Sequence, residues 1–139
     1  MRFPTGSLGV VVILFSSCCM EAATLRILVL DGKSGKPVSG RVVEVFSKEP
    51  ASAPVVSGVT DQKGVLSIAT PLPKEIAVHI KGRYLCTGNN QATSVHNLDD
   101  ILSVGVVETN LCNYKVLASP EPGELILFVR RESAKEFLD

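Results

Sequence analysis

The sequence contains no tryptophan, and aromatic residues make up only 5% of its 139 positions. A flat aromatic platform for stacking sugars or bases is therefore a weak expectation. Neither sign of charge is in excess, with 14 basic residues balancing 14 acidic ones. No basic stripe runs along the chain, so nucleic acid and an anionic membrane are not expected partners. No apolar run reaches the roughly 20 residues that a membrane-crossing helix needs. Only two histidines occur, and no closely spaced Cys or His set has zinc-ligand spacing. The serines include no GxSxG elbow, and no loop of alternating Asp and Asn oxygens suits calcium. The expectation is a chain with no catalytic residue, metal or cofactor.

What is present begins with an export signature. Arg2 is the only charge before Glu21, an apolar stretch fills 8–15 (LGVVVILF), and small residues follow up to Ala22 and Ala23. That order is the one a secretory signal peptide shows. A cut after Ala23 leaves a soluble exported domain. Phe15-Ser16-Ser17-Cys18 is a weak lipobox, because Phe stands where an aliphatic residue is usual; a cut there would anchor the chain by lipid at Cys18. The expected organisation is a signal peptide over 1–23 and one exported domain over 24–139, periplasmic or secreted. Hydrophobic residues are 45% of the chain, enough to build the core of a single domain.

Export gives the cysteines meaning. Only Cys86 and Cys112 remain beyond the signal. An even pair in an oxidising compartment is expected to form a disulfide, and closing a loop of about 25 residues contributes roughly 3–4 kcal/mol. Free or metal-bound thiols are the alternative. Neither cysteine lies in a CxxC motif, and their separation does not suit a redox-active pair.

Short apolar or alternating runs predict strands over 24–31, 41–46, 55–60, 65–69, 75–81 and 125–130, with 83–87 extending the sheet. The run 75–81 (EIAVHIK) alternates cleanly, with Ile76, Val78 and Ile80 on one face. Between strands lie turns rich in Gly, Pro, Asp and Ser. Gly32-Lys33-Ser34 is not a phosphate loop, because Ile27 stands where the motif requires its first glycine. Thr93 or Ser94 is expected to cap a helix reaching about residue 103, with Val95, Leu98, Ile101 and Leu102 on one face. Residues 132–139 suggest a last helical turn. The fold expected is an all-β, Ig-like sandwich with one short helix in the second half.

From 28 to 84 the order is an aliphatic strand, then Gly35-Lys36-Pro37-Val38-Ser39-Gly40, a Val-rich strand, Thr60-Asp61-Gln62-Lys63-Gly64, an alternating strand and Gly82-Arg83-Tyr84. This resembles the carboxypeptidase regulatory-like domain, a transthyretin-like sandwich. The second half is similar to an appendage of standalone bacterial envelope members, through Gly105-Val106-Val107, Asn110-Leu111-Cys112 and Pro122-Gly123-Glu124-Leu125. It departs from that pattern at Arg131, where proline is common. The resemblance implies an exported accessory domain, linked in some members to carbohydrate or protein binding, with no catalytic residues. The matching turn residues have physical roles of their own: Pro37 fixes φ before the second strand, Gly35, Gly40 and Gly64 permit left-handed or close backbone, and Asp61 bonds amides of its own turn.

Candidate chemistry is thin. His79 sits mid-strand, and His96 lies near Asp99 and Asp100, which as helix neighbours diverge rather than converge. Glu121 and Glu124 form a second carboxylate pair, and Asn89-Asn90-Gln91 could line a polar sugar groove. The expected function is a non-catalytic binding or scaffolding module of the bacterial cell envelope, partnered by a protein or glycan, with loops 47–54 and 87–93 as contact surfaces. A starch-binding-like carbohydrate module using Tyr84 or Tyr114 is the alternative, and a hydrolase comes third. The membrane becomes a partner only with a lipid anchor at Cys18.

Overall fold

The structure, a computed structural model, describes residues 23–48, 53–88 and 92–131. The expected signal peptide with Cys18, the middle of loop 47–54, Asn89-Asn90-Gln91 and the expected turn over 132–139 lie outside the described residues.

The described chain forms β1 (Thr24–Asp31), β2 (Val42–Ser47), β3 (Val56–Val59), β4 (Val65–Ala69), β5 (Glu75–Ile80), β6 (Arg83–Leu85), β7 (Thr93–Asn97), α1 (Leu98–Val104), β8 (Val106–Val107) and β9 (Glu124–Arg131). One sheet has the order β4-β1-β9-β6, with β8 also beside β9, and the other has the order β3-β2-β5-β7. The fold is therefore an all-β sandwich with one short helix. Its chain reversals are mostly antiparallel, but β1 and β9 pair in parallel from Arg26↔Glu124 to Asp31↔Val129. That pairing carries the C-terminal end of β9 to the same end of the sandwich as the β1–β2 turn.

The alternating strands do what their period requires. Leu25, Ile27 and Val29 of β1, Val43 and Val45 of β2, and Ile76, Val78 and Ile80 of β5 are all buried between the sheets. Each contributes about 1.5–3 kcal/mol of burial. β9 is different, because its run ELILFVRR is apolar on both faces. Leu125, Leu127 and Val129 face the main core. Ile126 and Phe128 lie on the outer face in a second cluster with Cys86, against which Leu28, Leu30, Cys112, Val116 and Ala118 pack. The segment between β8 and β9 covers that outer face, which explains why β9, and β1 beside it with Leu28 and Leu30, is apolar on both sides.

The helix begins later than the sequence predicted. Residues 93–97 form β7, and Asn97, not Thr93 or Ser94, caps α1 by accepting from the amides of Asp99 and Asp100. The reason is an inverted pattern: the inward positions of β7 are Ser94 and His96, while Val95 is exposed. Read as periodicity, Val95 joins Leu98 and Ile101 on a helical face. In the fold only Leu98 and Ile101 are buried against the core. The two-residue strand β8 is also new, formed where Val106 and Val107 pair with Leu125 and Ile126.

Candidate functional site: a basic pole with a groove

Three stretches distant in sequence meet at one end of the sandwich. The β1–β2 turn carries Lys33 and Lys36, and Arg41 directly precedes β2. β6 runs antiparallel to β9, setting Arg83 opposite Arg131 and Tyr84 opposite Arg130. Among the described residues, six cations gather here with Asp31 between them, and the Asp61 turn lies alongside. A cleft of about 350 Å³ is lined by Asp31, Lys36, Arg41, Arg83 and Arg131, among others. It shares Asp31 and Arg131 with a cleft of about 200 Å³ lined also by Lys33 and Arg130. Lys33 and Arg130 in turn border a third cleft of about 320 Å³ beside Leu111 and the disulfide. Together the three make a groove across the pole.

The groove stands on fixed backbone. Asp31 Oδ1 accepts from the amides of Lys33 (3.0 Å) and Ser34 (2.9 Å) and from the Ser34 hydroxyl (3.1 Å). Partial burial raises the Asp31 pKa, but the Ser34 and Lys33 bonds and the Lys33 charge outweigh it, so the carboxyl lies below its ordinary value. The stability it contributes is complete above the ordinary aspartate range and is lost as pH falls through the lowered value. We expect the thermal midpoint of the protein to fall on acidification below about pH 4, with a smaller fall in Asp31→Asn. Equal acid profiles for the two proteins would remove Asp31 from this role. On the other side of the groove, buried Thr60 donates from Oγ1 to the Val38 carbonyl (2.8 Å) and accepts from the Arg41 amide (3.1 Å). The Arg130 guanidinium lies 5.0 Å from the centre of the Tyr84 ring, a cation–π contact that limits its freedom.

The turn residues singled out in the sequence serve this end of the molecule. Gly35, Gly40 and Gly64 all have positive φ, and Pro37 bridges Leu30. At Gly64 a Cβ would lie 2.7 Å from the Val29 carbonyl oxygen, so glycine is required on both counts. Asp61 Oδ1 accepts from the amides of Lys63 (2.8 Å) and Val65 (3.0 Å), closing the turn as expected.

Cys86 and Cys112 are joined in a disulfide, and the bond buttresses the pole. A Cβ on Gly32 would run into Cys86 Sγ, so the β1–β2 turn is seated directly on the bridge. Asn110, named in the sequence only as part of the Asn110-Leu111-Cys112 match, organises the segment around it. Its amide nitrogen donates to the carbonyls of Gly32 (2.8 Å), Asn113 (3.0 Å) and Val116 (3.3 Å), and its oxygen accepts from the Cys112 amide (3.1 Å). Asn113 donates to the Lys33 carbonyl (3.0 Å).

The other candidates resolve into structure. His79 contacts Glu44 at 3.4 Å, with Lys81 also 3.8 Å from that carboxylate. Glu121 and Glu124 both approach Arg26, at 3.5 and 4.0 Å, and do not form an acid–base pair. Asp99 and Asp100 are exposed in the first turn of α1. His96 does not meet them. Its Nε2 lies 2.7 Å from Glu108 Oε1 and 2.9 Å from Ser94 Oγ, tying the edge strand β7 to the other sheet. Ser94 and Glu108 thus meet the same ring nitrogen, whereas a triad places serine and carboxylate on opposite ring nitrogens. Glu108 Oε2 is buried without a hydrogen-bond partner among the described residues. Removing His96 leaves that carboxylate less satisfied still, so His96→Ala should cost about 1–3 kcal/mol in urea unfolding. A change within 0.3 kcal/mol would mean that the clasp contributes nothing.

Sequence reasoning missed the cations because they stand at 33, 36, 41, 83, 130 and 131, and only strand pairing collects them. Arg130-Arg131 at the end of an apolar strand was the one local hint. No protein-family model matches the chain, and comparison with curated proteins finds no similar sequence.

Proposed function

We propose that this chain is a non-catalytic binding or scaffolding module, exported to the cell envelope, that holds a protein or glycan partner on its basic pole. The observation that carries this reading is the groove: cations on turns and strand ends, fixed by a rigid sandwich, around one pinned carboxylate. Loops and strand ends on a stable scaffold are the usual seat of recognition. The Cys86–Cys112 bond supports export, since disulfides persist in oxidising compartments. The likeness to carboxypeptidase regulatory-like domains supports an accessory role.

The test is retention. The purified exported chain should co-sediment with cell-envelope fragments at low salt and be released as ionic strength rises, because charge contacts at an exposed surface are screened. No retention at low salt, recovery of the chain only from the cytoplasm, or turnover in a hydrolase screen that one point mutation abolishes would each contradict the reading.

A neutral-carbohydrate module has one observation in its favour. Tyr114 is 80% exposed, beside exposed Leu117. Glycan-array binding to neutral saccharides that Tyr114→Ala abolishes would favour this second reading over the basic pole.

A further inference from the structure

We propose that β7 is the contact edge of a homodimer, in which two copies pair their β7 strands antiparallel about a two-fold axis at Val95 and join their four-stranded sheets into one. This goes beyond the proposed function and does not depend on what the basic pole binds.

Three observations point to a second copy. The first is which edge is open. A sheet edge presents unpaired main-chain groups, and proteins blunt it with short strands, proline, charge or bulges. Three edges are blunted here. β6 has three residues, and the Cys86 carbonyl beyond it is taken by the Leu111 amide (2.7 Å). In β4 the Val65 amide donates to Asp61 Oδ1 and its carbonyl accepts from the Asp61 amide, both at 3.0 Å, and Pro71 and Pro73 follow the strand. β3 follows Pro54, and the carbonyl of Val45, which is paired with Val56, accepts from the Val55 amide (2.8 Å), an offset that bends the edge. β7 reads Thr93-Ser94-Val95-His96-Asn97, with no proline, glycine, lysine or carboxylate. The Leu98 amide donates to the Lys74 carbonyl (2.7 Å), so Ser94 and His96 bond to β5 in the same ladder and the main-chain groups of Thr93, Val95 and Asn97 point outwards. Among the described residues no strand lies on that side.

The second is self-complementarity. About a two-fold at Val95, the Val95 amide and carbonyl meet those of the partner's Val95, and the Asn97 amide meets the carbonyl of the partner's Thr93. The side chains match as well: Val95 faces the partner's Val95, Thr93 the partner's Asn97, and Ser94 the partner's His96. Val95 is 53% exposed and ends an apolar row on the outer face, set by Phe46↔Ala77 and Ala77↔Val95. Pairing joins this row to its copy and covers Val95, the one apolar residue of β7. The third is charge. Thr93 stands opposite His79, and β5 leads from there through Lys81 to the basic pole. Asp99 and Asp100 are exposed just beyond the other end of β7. An antiparallel pair lays these two acids beside the basic end of the partner, whereas a parallel pair would set acid against acid. The two basic poles then point to opposite ends of the dimer. One strand edge buries well under the roughly 800 Å² a side of a standard interface, so the dimer is weak and reversible, with a dissociation constant on the order of 100 μM.

The experiment is sedimentation equilibrium of the purified protein from about 10 to about 500 μM. A monomer–dimer equilibrium that weakens as salt rises is the expected result. Val95→Lys sets like charges across the two-fold and should weaken the dimer by roughly tenfold or more. Its thermal midpoint should move little, because the side chain lies at the surface, so loss of the dimer cannot be ascribed to unfolding. Val95→Cys supplies a positive reading. Directly paired residues lie about 5.5 Å apart at Cα, within disulfide range, so mild oxidation should give a dimer linked through residue 95, identified by peptide mass mapping. Val59→Cys, on the β3 edge, should stay unlinked. A protein still monomeric at about 500 μM overturns the proposal and leaves β7 to a strand of a different chain. A dimer that Val95→Lys leaves intact, or one that links through residue 59 and not through 95, overturns it by placing the contact elsewhere.

Discussion

Replacing Cys86 and Cys112 with serine is expected to lower the thermal midpoint by roughly 12–16 °C, from a loss of about 3–4 kcal/mol at about 4 °C per kcal/mol for a domain of this size. The bond joins residues 26 apart in sequence, so its removal restores that loop's freedom to the unfolded chain. The native state loses as well. Cys86 is buried in the outer cluster with Ile126 and Phe128, where a serine hydroxyl is poorly accommodated. The main chain around it remains tied, with the Cys86 amide donating to the Phe128 carbonyl (2.9 Å) and its carbonyl accepting from the Leu111 amide (2.7 Å). Local strand pairing should therefore survive, and the variant should fold at low temperature. Circular dichroism melts of the wild type with and without reductant provide the check, since the reduced wild type should melt close to the double-serine protein. Two reactive thiols in the folded, unreduced wild type would end the claim.

The second large effect is expected at Asn110. Asn110→Asp keeps the size of the side chain and exchanges an amide for a carboxylate. The nitrogen now donates to three carbonyls, those of Gly32, Asn113 and Val116. A carboxylate oxygen in its place faces three acceptors and donates to none, at a site that is 8% exposed. The cost should be about 3 kcal/mol or more in denaturant unfolding, above the roughly 1–3 kcal/mol expected of Asn110→Ala, because a buried charge is added to the lost bonds. Since Asn110 and the disulfide hold the same segment, combining Asn110→Ala with the double serine should cost less than the sum of the separate losses. An Asn110→Asp protein as stable as wild type would show that the segment is held some other way.

The sandwich was legible where one face of a strand is buried and the other is wet. Ile76, Val78 and Ile80 announce β5, and Val43 and Val45 announce β2, because period-two burial writes itself into the sequence. β7 was not legible, since its inward positions hold Ser94 and His96 and its outward position holds Val95. That inversion makes sense only once Glu108 is seen across the sandwich edge, 12 residues from His96. The double-sided burial of β9 was equally hidden, because the segment that covers Ile126 and Phe128 has no periodicity of its own. The paired cysteines were readable from their count and the expected export, whereas Asn110 stood out only as part of the Asn110-Leu111-Cys112 resemblance, with no role attached.

The candidate site was hidden for a different reason. A formal charge of zero over the whole chain conceals its segregation in space. Lys33, Lys36, Arg41, Arg83, Arg130 and Arg131 gather at one end with Asp31, while Glu75, Glu121 and Glu124, paired in part with Lys48 and Arg26, and Asp99 and Asp100 on α1 lie towards the other. Composition averages over that separation. The parallel β1–β9 pairing that creates it joins residues about 100 apart, beyond the reach of any local pattern.

The central claim is that recognition resides at this pole. The most direct measurement is amide chemical-shift mapping of the chain during titration with solubilised cell-envelope material. Shifts confined to the 31–41 turn, Arg83 and Arg130-Arg131 are the result expected. Shifts centred on Tyr114 and Leu117 or on α1, with the pole unmoved, would contradict it.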